Sequence, residues 1–486
     1  MGVVLAIDAG TTGVRTRAVF DDGQKSFSAY REFTQYFPQP GWVEHDAAEI
    51  WTAVVATLSD VVSQLKQPVS AIGITNQRET VVAWDRRTSE PCARAIVWQD
   101  RRTAQRCSEL EPHLETVRRI TGLVLDPYFS GTKAAWLIEH EQLAPIEHLC
   151  IGTIDSWLVW KLTAGHAFVT DPSNASRTML FDINTMQWSQ EMCDLLHVPI
   201  SVLPQVQPSS GRYGVTTNVV GVPNGIPISG IAGDQQAALF GQACTSVGMA
   251  KNTYGTGSFI LLNVGTTCPA PSDGMLTTVA WDLGDGKPVY ALEGAIFVTG
   301  AAVQWLRDGL GIISTSAEVG ALAESVPDSG GVFVVPAFTG LGSPWWDPYA
   351  RGTIVGITRG TTRAHIARAV VDAMVYQTQD AIAAMTSAGG VALAELRVDG
   401  GASVMDAMLQ RQANALGVPV LRPTDHETTA LGAAYLAGLA EGVWANLDEI
   451  GSMWTLDRQF EPSAPDASHE TWLRAVERSR HWATPD

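Results

Sequence analysis

Positive charge is scarce in this chain of 486 residues, where 32 Lys and Arg stand against 50 Asp and Glu, a net −18. Nucleic acid and anionic membranes are bound through net positive fields, so neither is an expected partner. Charge of either sign is thin, at 17% of residues, which suits large buried sheets better than long solvated helices. Cysteine is sparse and scattered: Cys92, Cys107, Cys150, Cys193, Cys244 and Cys268 form no C-x-x-C pair and have no histidine at ligand spacing. A disulfide frame and a zinc site are therefore not expected, and the default is buried thiols in a reducing cytoplasm. No apolar run is long enough to span a membrane. The apolar opening, residues 2–7, lacks a basic lead and is stopped by Asp8, so it does not read as a signal peptide. Ala6 stands where a myristoylation motif needs Ser or Thr.

What is present is a globular α/β pattern. Hydrophobic residues make up 45%, and the length allows two to four domains. An apolar run at 3–7 is followed by the turn cluster Asp8-Ala9-Gly10-Thr11-Thr12-Gly13, a strand ending Arg17-Ala18-Val19-Phe20, and the hairpin signal Asp22-Gly23. Asp46 and Glu49 mark a helix start, and Ile50, Val54, Leu58, Val61, Val62 and Leu65 keep helical spacing beyond it. Residues 71–74 then read as a small buried strand. Far downstream, residues 250–254 lead into Gly255-Thr256-Gly257 and residues 258–262 lead out, repeating the logic of the opening hairpin. The spacing is about half the chain, so the reading is two related halves, 1–245 and 246–486, sharing a broad interface. Helices are expected over 362–385, after a Thr cap, and over 428–441, closed by Gly442.

Several segments could carry chemistry. The turn Gly10-Thr11-Thr12-Gly13 can offer backbone N–H groups and two hydroxyls to a phosphate, or be an ordinary hairpin. A second such turn at Gly255-Thr256-Gly257 allows a polyphosphate to be gripped from both halves. Asp8 suits a Mg²⁺ held through water, or a turn-initiating side chain. Asp234, between a glycine turn and a helix-like run, is either an N-cap or a general base for a hydroxyl nucleophile. Arg78 and Glu79, inside six polar residues that follow an apolar strand, offer the fork donors and carboxylate acceptor a vicinal diol needs, or pair on a surface loop. Trp98 and Tyr128 are amphipathic aromatics with polar neighbours, or core packing. There is no P-loop motif, the third glycine of a dinucleotide fingerprint is missing, His426-Glu427 stops short of H-E-x-x-H, and no nucleophile elbow stands out.

Together these segments resemble the FGGY family of carbohydrate kinases, nearly end to end. The resemblance is carried by Pro40-Gly41-Trp42-Val43-Glu44-His45-Asp46, by residues 73–80, by Asp126-Pro127-Tyr128-Phe129-Ser130-Gly131-Thr132-Lys133, by residues 174–180 and 228–242, and by the two signature stretches 128–140 and 352–372. It implies two actin-like, ribonuclease-H-like ATPase domains hinged around a cleft. It implies transfer of the γ-phosphoryl of ATP, with Mg²⁺, to glycerol, giving sn-glycerol 3-phosphate; another polyol or a ketose is the alternative substrate. A nucleotide-binding switch of actin type is the non-enzymatic alternative.

The resemblance places substrate contacts on Arg78, Glu79, Trp98, Tyr128, Asp234, Gln235 and Phe259, with Asp234 as base. It places ATP contacts on Thr11, Thr12, Gly13, Arg15, Thr256, Gly300, Gln304 and Gly401, with Asp8 near the metal. Family members often form homodimers or higher homo-oligomers. The chain departs from the family's glycerol-specific pattern at Gly13-Val14, where two serines are usual, and at Met405, where Asn commonly lies near adenine. Residues 219–227 carry no Arg, and the stretch from Ser463 diverges, so family regulation is not carried over.

Overall fold

The computed structural model describes residues 2–22, 26–464 and 468–484. Each half is centred on a large mixed sheet, and the first half also carries a second, six-stranded sheet within residues 35–153. In the large sheet of the first half, β1 (Val3–Ala9) and β2 (Gly13–Phe20) form an antiparallel hairpin, and β3 (Phe27–Glu32) pairs antiparallel with β2. On the other side of β1 lies parallel β4 (Ala71–Asn76). Beyond it, β5 (Ser210–Val215) edges β6 (Pro227–Gly233), giving the order β5-β6-β4-β1-β2-β3. Gly23 of the expected hairpin turn lies outside the described residues, although the pairing of β2 with β3 is a hairpin's.

The second half repeats this plan. The hairpin is β7 (Met249–Tyr254) and β8 (Ser258–Gly265), flanked on the β8 side by β9 (Leu276–Trp281) and β10 (Val289–Ile296). On the β7 side come parallel β11 (Glu395–Gly400), parallel β12 (Val420–Pro423) and antiparallel β13 (Leu456–Phe460). The order β9-β10-β8-β7-β11-β12-β13 matches the first sheet strand for strand, direction included, with β9 added at one edge. Both hairpins therefore sit at equivalent positions, which is how the repeated glycine turn of the sequence arises.

Helix starts follow their signals. In α1 (Ala47–Val62) the Asp46 carboxylate accepts from the N–H of Ala48 and of Glu49. Glu49 does not complete a capping box: it turns away to accept from Tyr36 Oη and Thr34 N–H. The others that matter are α2 (Asp234–Gly241), the short α3 (Gly300–Gln304), α4 (Arg363–Gly389) and α5 (Thr428–Ala440). α4 runs one turn past Met385, because the left-handed cap it needs is Gly390, at φ +61°.

α5 explains the interface between the halves. It lies between β12 and β13 of the second sheet in sequence but packs on the first, and it is buried along nearly its whole length, from Thr428 to Gly438. Glycines make this approach possible. A Cβ on Gly73 of β4 would sit 2.0 Å from the Ala433 carbonyl oxygen, and one on Gly230 of β6 would meet Ala437 N at 2.5 Å. α5 also crosses α2 through a reciprocal pair: a Cβ on Gly432 would lie 1.8 Å from the Ala237 oxygen, and one on Gly241 would lie 1.9 Å from the Thr428 oxygen. The obstacles are backbone atoms and cannot swing aside. Gly432→Ala is accordingly expected to destabilise the protein by about 1–3 kcal/mol, as overpacking does. An unchanged urea midpoint would show that the two helices do not meet this closely. Among the described residues all six cysteines are free and no helix is long and apolar enough to cross a membrane.

Candidate active site

The parallel pairing decides where chemistry can gather. Asp8 lies opposite Thr75 across β1 and β4, and Asn76 lies opposite Gly233 across β4 and β6. The residues that follow, Arg78-Glu79 after β4 and Asp234 after β6, thus emerge beside Asp8 at the carboxyl ends of adjacent strands, the usual position of a ligand crevice in such sheets. Asp234 is the first residue of α2, whose N-cap is Gly233, so the capping role open to it in the sequence is not the one it plays. Gly233 is needed for a different reason: a Cβ there would meet Arg78 Cγ at 2.6 Å and Cδ at 2.7 Å.

The Arg78–Glu79 segment is no surface loop. All of residues 75–80 are buried, and Glu79 holds a left-handed backbone at φ +62°. Such a conformation costs on the order of 1–3 kcal/mol and persists only where neighbours enforce it. They do: Arg177 Nε donates to Glu79 Oε1 at 2.7 Å, and Ser130 Oγ donates to its carbonyl oxygen at 3.1 Å. Every N–H of the Arg78 guanidinium faces an acceptor. Nε lies 3.2 Å from Asp234 Oδ1. Nη1 donates to Glu293 Oε2 at 2.5 Å and Gln236 Oε1 at 3.3 Å, and Nη2 donates to Glu293 Oε1 at 3.1 Å and Tyr128 Oη at 3.2 Å. A ligand hydroxyl that binds Arg78 must take over the contact to Asp234 or to Tyr128, and displacing the first releases the carboxylate.

Trp98 and Tyr128 belong to this group, Tyr128 also packing against the core through Phe129. Their rings meet edge to face at 5.7 Å, both are half-buried, and Trp98 Nε1 donates to Thr11 Oγ1 at 3.0 Å. That bond joins the diol-type cluster to the first glycine turn. Thr12 is exposed at the tip of this turn, and Arg15, opposite Asp8 in the hairpin, reaches Glu427 just before α5. The second turn gathers its own set. Gly300 N–H donates to the Gly255 carbonyl at 3.0 Å, which seats α3 and its exposed Gln304 beside Thr256, and Tyr254 pairs with Gly400, which brings Gly401 alongside. Lys251 Nζ connects the halves by donating to Gln235 Oε1 and to the Phe259 carbonyl at 3.1 Å.

The electrostatics suit a base and a bound cation. Burial raises the Asp234 carboxyl above its usual range, and Arg78 and Lys251 pull it back down. Burial, then the charge of Asp234, pushes Asp8 up to about 7. Burial would also raise Glu293, yet Arg177 and Arg78 outweigh it and hold that carboxyl at about 2.

Comparison with known proteins decides the family. The N-terminal and C-terminal domain models of the FGGY family of carbohydrate kinases match residues 3–241 and 250–441. The chain belongs to that family. It is 53% identical to glycerol kinase of Dechloromonas aromatica over 494 residues, covering 99% of this chain and 98% of the relative. It is 52% identical to glycerol kinase 2 of Thermotoga maritima over 496 residues, covering 99% of both. Its fold is similar to the crystal structure of Plasmodium falciparum glycerol kinase with ADP, at a TM-score of 0.93 and 36% identity over 99% of this chain and 98% of that one.

In this FGGY kinase the tertiary structure adds residues that sequence reading did not assign. Arg177 and Glu293 complete a four-charge cluster with Arg78 and Glu79, all four at most 2% exposed, and Glu293 comes from β10 of the other half. One signal was available: Glu293 is a charge inside the apolar strand Val289–Ile296, and a buried charge needs a partner. Gly13 is also accounted for. A Cβ there would lie 2.5 Å from both Tyr30 Oη and the Arg31 carbonyl oxygen. Tyr30 therefore occupies the space a serine would fill, with its hydroxyl 3.3 Å from Thr12 Oγ1.

Proposed function

We propose that the protein phosphorylates glycerol with ATP, releasing ADP and sn-glycerol 3-phosphate. The observation that carries this reading is the buried Arg78–Glu79 pair set directly against the partly exposed Asp234 carboxylate. The full-length relatives of about half identity named glycerol kinase support it. Arg78 and Glu79 take the oxygens of the vicinal diol, Tyr128 and Gln235 add polar contacts, and Trp98 and Phe259 cover the carbon edge. Asp234 accepts the proton of the terminal hydroxyl as its oxygen bonds to the γ-phosphorus. The bond from that phosphorus to the β,γ-bridging oxygen breaks in line, and ADP carries away the electron pair. Contacts to two of three hydroxyls make the prochiral substrate chiral in the site, hence the single product enantiomer.

Thr11, Thr12, Gly13 and Arg15 receive the phosphates from one half. Thr256, Gly300, Gln304 and Gly401 receive the nucleotide from the other. Mg²⁺ fits as a dication carried on the phosphates: among the described residues no cluster of three or more ligating side chains could cage a metal, but Asp8 is a carboxylate raised by burial and by a neighbouring negative charge. Bound there through water, it would neutralise charge on the transferring group. The six free cysteines and the use of ATP suit the cytoplasm.

ADP release from Mg²⁺-ATP with glycerol, dihydroxyacetone, erythritol, ribitol or xylulose tests the reading. The expected result is a clear preference for glycerol. Preference for a longer polyol would keep the fold and chemistry but overturn the substrate, and ATP hydrolysis indifferent to any polyol would overturn the kinase assignment of this site.

A further inference from the structure

Lys251 is a buried cation that phosphoryl transfer as described uses only through its charge acting on Asp234. It stands on β7, 0% exposed, with Nζ donating to Gln235 Oε1, to Thr253 Oγ1 at 3.1 Å and to the Phe259 carbonyl oxygen at 3.1 Å. An ammonium has three donors and no acceptor, so its capacity is used up by these groups. The first is the informative one. An amide can present either its oxygen or its NH2 to a neighbour, but a lysine can meet only the oxygen. Gln235 is half-buried at the start of α2, next to Asp234, and Lys251 reaches it from the opposite half of the molecule.

We infer that Lys251 is a positioning residue for substrate recognition: by holding Gln235 Oε1 it locks the amide so that the NH2 faces the cleft and donates to a substrate hydroxyl oxygen. This rests on the reading of Gln235 as a polyol contact. Two consequences follow from the geometry. The group that Gln235 binds must be an oxygen with a free lone pair. And because Lys251 belongs to the second half and Gln235 to the first, the donor is oriented by a contact made across the interface of the two halves.

Lys251 is surrounded by charge. Asp399 on β11 and Asp234 on α2 favour its ammonium form, as does Glu293 on β10, while Arg78 opposes it; burial is the largest influence and brings the group down to about 8. The hydrogen-bonding argument requires the ammonium, so the lock is present below that pH and is lost as pH rises through it.

The test is a double-mutant cycle on steady-state kinetics of the full chain. Lys251→Met is expected to raise the KM for glycerol roughly tenfold, about what one directed hydrogen bond contributes, with a smaller change in kcat and none in the KM for ATP. Gln235→Ala should raise it similarly, and the double variant should be no worse than either alone, because both remove the same contact. Lys251→Arg, which keeps a donor, should restore part of the affinity. Independently of any variant, the wild-type KM for glycerol should rise above pH 8 while that for ATP stays level, a readout that survives if Lys251→Met does not fold. Additive effects of the two substitutions, an unchanged KM in Lys251→Met, or a flat wild-type profile to pH 9 would overturn the inference while leaving glycerol phosphorylation intact. If glycerol itself is not the substrate, the cycle is run on the polyol that is turned over. No turnover of any polyol removes the proposed function and this inference with it.

Discussion

Asp234→Asn is expected to lower kcat for glycerol phosphorylation by on the order of 10²–10⁴, the usual consequence of losing a general base. The substitution is nearly isosteric and preserves a polar group 3.2 Å from Arg78 Nε. Glycerol affinity should therefore change by only a small factor, and the loss should appear in turnover. The physical reason lies in the balance around the carboxylate. Burial makes Asp234 more basic than a free aspartate, while Arg78 and Lys251 oppose that rise and favour the carboxylate. The amide has no comparable basicity. Single-turnover measurements with saturating glycerol and Mg²⁺-ATP separate the chemical step from product release. A kcat within a few-fold of wild type would remove Asp234 from the role of base, whatever its proximity to the diol cluster.

The second large effect is on stability. Glu293→Gln is expected to cost about 3–5 kcal/mol, the range found when one partner of a buried ion pair is removed. Glu293 Oε1 accepts from Arg78 Nη2 and, at 3.0 Å, from Arg177 Nη2, while Oε2 accepts from Arg78 Nη1. All three side chains are at most 2% exposed. The glutamine would leave two buried guanidinium groups with Glu79 and the partly exposed Asp234 as their remaining carboxylate partners. Urea unfolding followed by tryptophan fluorescence reads the change, and a midpoint equal to that of wild type would rule the cluster out as a structural tie between the halves.

The pH dependence gives a further check. Glu293 is held at about 2, below its ordinary 4.5. A depressed carboxylate contributes fully above its unfolded value, and the contribution fades as pH falls from about 4.5 towards 2. The difference between wild type and variant should shrink across that window. A difference that stays constant would point to altered packing rather than lost charge.

Much of the site could be read from local sequence, because its positions are also positions of local necessity. The two glycine turns are hairpin turns before they are anything else, Asp46 caps α1, and the polar run after β4 is conspicuous beside an apolar strand. The repeated hairpin indicated two related halves, which the matching strand orders bear out. Arg78, Glu79 and Asp234 stand out in the sequence for the same reason: each sits where an element ends or begins. What could not be read was which of two roles such a residue plays. Trp98 reads equally as core packing until its indole is found on Thr11, and Asp234 reads equally as a cap until α2 is found to start at the residue itself.

The sequence by itself determined the fold class, the family and the two glycine turns, and marked Asp234 as either cap or base, since these rest on short-range chemistry and on segments long enough to be distinctive. The tertiary structure alone decided that α5 lies on the sheet of the other half, that Glu293 clamps Arg78 from across the molecule, that Tyr30 takes the space left by Gly13, and that Lys251 donates to Gln235 Oε1. Each of these depends on two residues far apart in the chain being brought within a hydrogen bond or a van der Waals contact. No local pattern encodes such a distance, because it is set by how strands from separate segments pair and how glycines let helices close over them.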